Sequence, residues 1–110
     1  MDAGGWTALH EAAYNGNVPC VSTLLSYGAS IDIQNSDGAT PLFTAAQYGY
    51  LECVELLVSQ QADVNLATTD GATPLFIAAQ QGYSVLMTSL LNAGKDKSAS
   101  LSKVNLNSIE

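Results

Sequence analysis

Positive charge is nearly missing from this chain. Its 110 residues include three lysines and no arginine against ten acidic residues, and Lys95, Lys97 and Lys103 all lie in the last 16. Residues 1–94 hold eight acids and no cation unless His10 is protonated, so this body can form no side-chain ion pair without that histidine. It also lacks the basic patch on which phosphate binding depends. Nucleic acid and anionic membrane are therefore excluded as partners, and a protein with a basic surface is favoured. Cysteine is scarce as well, with Cys20 and Cys53 alone. Two thiols and one histidine are too few for a zinc site, and two cysteines cannot staple a disulfide-dense mini-protein. Both thiols are expected to be buried and free, acting as small apolar side chains. No stretch approaches the roughly 18 apolar residues of a membrane span. The opening Met1-Asp2-Ala3-Gly4-Gly5 has neither the basic residue nor the apolar core of a secretory signal. Together with unpaired thiols, that predicts a reducing compartment, cytoplasm or nucleus. What remains is a hydrophobic content of 47%, ordinary for one small folded domain.

The two cysteines are 33 residues apart, and that interval is general. Rows of 33 align Gly5, Gly38 and Gly71, then Thr7, Thr40 and Thr73, then Leu9, Leu42 and Leu75. They go on to align Ala12-Ala13 with Ala45-Ala46 and Ala78-Ala79, and Leu24 with Leu57 and Leu90. Residues 38–50 and 71–83 differ at only two of 13 positions. A fixed period of this size signals stacked supersecondary units.

Each row reads as turn, helix, turn, helix. Asp37-Gly38 and Asp70-Gly71 suit a tight tip that needs positive φ, and each Asp is expected to accept backbone N–H bonds of its own turn. Thr40-Pro41 and Thr73-Pro74 place a capping hydroxyl before proline at the first helical position. Leu42, Ala45 and Ala46 give the first helix a narrow face of small side chains, and Gly49 ends it. Val54, Leu57 and Val58 form the inner face of the second helix, with Pro19 tolerated in the first turn of its counterpart. Neither helix should exceed about ten residues, so neither persists alone in water, and stability must come from stacking.

The segments Trp6-Thr7-Ala8-Leu9-His10-Glu11-Ala12-Ala13 and Gly-Ala-Thr-Pro-Leu-Phe-x-Ala-Ala, the latter present twice, resemble the opening of an ankyrin repeat. Leu24-Leu25-Ser26-Tyr27-Gly28-Ala29 and Ala62-Asp63-Val64-Asn65 resemble its second-helix end and hairpin. The resemblance implies an all-α solenoid of stacked helix-turn-helix units with short β-hairpin or turn tips. Its repeats would span residues 2–35, 36–68 and 69–98, the last with a degraded end, before a tail at 99–110. That tail either frays or caps repeat three through Leu101, Val104, Leu106 and Ile109. Neither terminus shows the polar capping unit that solenoids usually need. The family's histidine after leucine survives only as His10, where the resemblance implies a bond to the threonine hydroxyl of a neighbouring motif. Phe43 and Phe76 replace it, exchanging a polar link for apolar packing. Gln61 stands where Gly28 and Gly94 stand in the other rows, so a non-glycine residue must turn left-handed at a cost of about 1 kcal/mol.

No catalytic set can be assembled: His10 has a structural place, Glu52 and Glu55 fall on a solvent face, and no Gly-rich run could hold phosphate. The chain is read as a non-catalytic protein-interaction module without cofactor or metal, monomeric or part of a longer repeat array. By the resemblance, its binding face is concave and includes Trp6, Ala39 and Ala72 after the turn glycines. Tyr14, Asn15, Gln47, Tyr48, Gln80 and Gln81 join it from the ends of the first helices, and Ser36, Asp37, Thr69 and Asp70 from the tips. Trp6 alternatively shields the open side of repeat one. Two other readings stay open. Leu57 followed by Asp63-Val64-Asn65 resembles the pattern on which asparaginyl hydroxylases act, with Asn65 as acceptor. The chain could equally be a structural fragment or isoform of a longer scaffold.

Overall fold

The computed structural model describes residues 3–96. A short 3-10 turn at Ala3–Gly5 is followed by three helix pairs: α1 (Ala8–Tyr14) and α2 (Val18–Ser26), α3 (Pro41–Gln47) and α4 (Leu51–Ser59), α5 (Pro74–Gln81) and α6 (Ser84–Asp96). No strand forms among the described residues, and the tips close as turns. At each tip one backbone bond pins the ends: Asn35 N–H to Ala39 O at 3.0 Å and Thr68 N–H to Ala72 O at 2.8 Å.

The first helices start where the threonines predict. Thr7, Thr40 and Thr73 each accept the N–H three residues on, at 3.3, 3.0 and 3.1 Å. One orphan donor is thereby satisfied at each helix start, and proline occupies the first position of α3 and α5. The first helices then pack side by side, α1 on α3 on α5, while α2, α4 and α6 form a second layer behind them. Ala13, Leu42, Ala45, Ala46, Val54 and Leu57 lie between the layers without solvent exposure. The alanines among them are small enough to let the inner helices approach closely.

Several expectations change here. Cys53 is buried but Cys20 is exposed. The position they share points toward the preceding pair, so Cys53 packs toward α2, Leu86 toward α4, and Cys20 has no described helix to meet. Burial, with the Glu52 charge beside it, pushes the Cys53 thiol above its ordinary value. The folded state thus holds that proton more tightly, and the stability this contributes is lost as pH rises through the alkaline thiol range. Cys20 should react with a thiol reagent at once, and Cys53 only at the rate of opening. Equal fast labelling of both would show that α2 and α4 do not pack as described.

Helix α6 runs to 13 residues, past the expected limit. Gly94 stays helical inside it, whereas Gly28 ends α2 at φ 93°. After Gly28 comes Ala29, whose N–H closes on Leu24 O at 3.0 Å. Lys95 and Asp96 follow Gly94 and offer no apolar anchor for such a turn. Gln61 does adopt the left-handed conformation, φ 73°. The tail at 99–110 and its capping role lie outside the described residues.

The N-terminal side carries a polar bracket the sequence reading did not expect. Glu11 shares its row with Thr44 and Ile77, both buried, yet is itself exposed. Its carboxylate accepts Trp6 Nε1–H at 2.8 Å and Asn15 Nδ2–H at 3.1 Å. Both neutral donors leave that carboxylate charged, and burying it without a cation would be costly.

Candidate functional site

The inner helices and the turn tips form the two walls of a groove of about 500 Å³. Ten of the residues named from the sequence line it: Trp6, Tyr14, Asp37, Ala39, Gln47, Tyr48, Thr69, Asp70, Ala72 and Gln80. Three do not. Asn15 is turned back on its own helix, Nδ2 donating to Glu11 O at 3.0 Å. Ser36 is tied to the preceding unit by its N–H on Gly4 O at 2.7 Å. Gln81 is exposed at the last turn of α5, off the groove.

One end of the groove is aromatic. Trp6 stacks on His10 with centroids 5.2 Å apart and planes at 26°. Tyr14 meets Trp6 edge-on at 5.9 Å and Tyr48 at 5.0 Å, both near right angles. Tyr50, 6.5 Å from Tyr48, carries the row outward. Trp6 is half-buried, so it serves both the groove and the shielding of His10. Tyr14 and Tyr48 stay 43% and 46% exposed, which is much apolar ring surface left in contact with water.

His10 holds this end in place. Its Nε2 lies 2.7 Å from Ala39 O on the next tip, and a carbonyl can only accept, so Nε2 carries the proton. Nδ1 then accepts from Thr7 N–H at 3.2 Å and lies 2.9 Å from Thr7 Oγ1. The threonine bond is therefore within its own unit, and the link between units runs to backbone instead, correcting the implied threonine partner. Gln34 makes a second such link, with Nε2 on Gly38 O at 3.0 Å and Ala67 O at 3.1 Å.

At the tips, Asn35 does what Asp37 was expected to do. Its Oδ1 accepts the N–H groups of Asp37 and Ala39, both at 2.9 Å. In the next unit Thr68 Oγ1 accepts Ala72 N–H at 3.1 Å and donates to the Asp70 carboxylate. The acceptor stands two residues before the aspartate because only there does its side chain fold over the turn. Asp37 is thereby left exposed at the tip, where it lines the groove.

Sequence reasoning missed Asn35, Phe43, Thr44, Thr68, Phe76 and Ile77 in the groove lining. The available signal was the row of His10, Phe43 and Phe76. Read as packing, those phenylalanines are also the apolar floor. Asn65 lies elsewhere: it is half-buried, with its N–H on Asp63 Oδ1 at 2.9 Å, and Asp63 N–H reaches Asp32 Oδ1 at 2.9 Å. Among the described residues no three His, Cys, Asp or Glu side chains gather to hold a metal ion, and no helix is long and apolar enough to cross a membrane.

Comparison with known proteins gives the same repeat. A family model for ankyrin repeats, in three copies, matches residues 9–100. The human protein named Inhibitor of Bruton tyrosine kinase is 47% identical over 34 residues, 31% of this chain and 2% of that protein. Its Xenopus laevis and Mus musculus counterparts match over the same length at 47% and 45%. The chain thus spans about 2% of the length of these relatives.

Proposed function

This chain belongs to the ankyrin-repeat family, and from that premise we propose that it is a non-catalytic module that binds a protein partner through the groove of its concave face. Repeats of this family are generally protein-interaction modules, and the residues here suit that use. The observation that carries the reading is the exposed pair Tyr14 and Tyr48 at the aromatic end of a groove whose tips bear Asp37 and Asp70. Tyrosine and tryptophan bury large areas on binding at low entropy cost, and they concentrate at the centres of interfaces. The uncompensated acids of residues 1–94 steer a basic partner toward the groove.

The test is to select peptides from a displayed random library on the folded chain and map the winners by amide chemical shifts. Shifts should gather at residues 35–48 and 68–80, and Tyr48→Ala should weaken the selected peptides by about 1–2 kcal/mol. Association should slow as NaCl is raised, because screening at a Debye length of ~10 Å in 0.1 M salt weakens the steering. Shifts confined to the outer helices, around Ser22, Glu55 and Ser89, would move the binding face to the other side of the stack.

A further inference from the structure

We propose that the groove's anchoring ligand is an arginine side chain presented by an extended segment of the partner protein. This rests on the groove being the binding face and adds the chemistry of its occupant. Three observations narrow that chemistry. The first is shape: Trp6 and Tyr14 meet near a right angle, as do Tyr14 and Tyr48, so a flat group can lie on one ring while its edge meets the next. His10 stacks on Trp6, which also lines the groove.

The second is hydrogen-bonding capacity. Asp37 and Asp70 line the same groove, and both are exposed. Thr68 donates to Asp70. The carboxylate of Asp37 receives no hydrogen bond among the described residues, since Asn35 serves the turn in its place. These acceptors ask for a ligand rich in donors. The third is charge: residues 4–94, whose side chains are described, contain no lysine or arginine, so none of them competes for the carboxylates.

A guanidinium meets all three demands at once. It is planar and weakly hydrated, stacks on aromatic faces, and presents N–H donors along its edge to a carboxylate. An ammonium brings the charge without the plane. A trimethylated ammonium suits the rings but gives the carboxylates no donor. A carboxylate or phosphate ligand would be repelled by Asp37 and Asp70.

Trp6 is the sole tryptophan of the chain, so its fluorescence and its indole N–H resonance report on this end of the groove without a label. The probes are short blocked Gly-Ser peptides with a central arginine, lysine, trimethyllysine or citrulline. The arginine peptide is expected to shift both signals. Lysine should bind roughly 3-fold or more weakly, and citrulline should give no response at about 1 mM. Tyr48→Ala and Asp37→Asn, both at exposed positions and expected to leave the circular dichroism unchanged, should each weaken the arginine peptide about 3- to 10-fold. Equal binding of arginine and lysine, or tighter binding of trimethyllysine, overturns the arginine assignment while the groove stands. No response to the arginine peptide at that concentration overturns it too, and the library-selected peptides then judge the groove separately. Shifts on the outer helices alone bring down both readings.

Discussion

Truncating Leu57 to alanine is expected to leave the protein largely unfolded at body temperature. Leu57 sits on α4 with no solvent exposure. Its helix is the only one of the outer layer with a described neighbour on each side, α2 and α6, and it packs on α3 as well. Removing a buried leucine side chain costs ~2–5 kcal/mol, the larger values arising where the walls cannot collapse. A chain this small has ~5 kcal/mol in total, so the loss consumes most of it. Leu90→Ala is the control. Leu90 is almost as buried, at 3% exposure, but α6 has its described neighbours on one side only. In a stack whose stability is a sum of unit and interface terms, that change should mostly melt α5 and α6 and spare the first two pairs. Thermal and urea unfolding, followed by circular dichroism and by Trp6 fluorescence, separates the outcomes. Trp6 reports on the first pair, so it should keep its native signal in Leu90→Ala after helicity has begun to fall. Identical single transitions for both variants would refute independent units.

The second large effect is expected at Gly38, and its counterpart Gly71 makes the contrast. The two glycines hold the same place in successive tips and nearly the same left-handed backbone, φ 80° and 88°. A Cβ on Gly71 would meet nothing within 4 Å among the described residues. On Gly38 it would lie 2.9 Å from Thr68 Cα and Thr69 N, backbone atoms that no side-chain rotation can clear. That approach is fixed by Thr69 N–H bonding Asp37 O at 2.9 Å, one tip docked on the next. Gly71→Ala should therefore cost only the conformational term of about 1–2 kcal/mol. Gly38→Ala adds overpacking against backbone, for roughly 3–4 kcal/mol together. Denaturant midpoints of the two variants decide it. Equal losses would mean the tips do not touch.

The same pair shows what was legible beforehand and what was not. The 33-residue period, the threonine caps, the glycine turns and the apolar faces of both helices are local or periodic signals, each written in a few neighbouring residues. The fold was readable for that reason: a unit that repeats must meet its neighbour in the same way each time. Ten groove residues came with it, because position within a unit fixes which side of the stack a side chain reaches.

The rest depended on which neighbour is present. Cys20 and Cys53 occupy equivalent positions, yet one is exposed and the other buried, since a described helix precedes only the second. Gly38 and Gly71 are equivalent in sequence and differ in whether a described tip lies behind them. Glu11, on the row of Thr44 and Ile77, becomes a bracketed surface carboxylate only because nothing described stacks over it. Sequence by itself determined the repeating unit, through backbone propensity and hydrophobic period. The tertiary structure decided burial at the edges of the described stack and the contacts between tips. Burial, close approach and hydrogen-bond partners there belong to pairs of units, and a single unit's residues do not encode them.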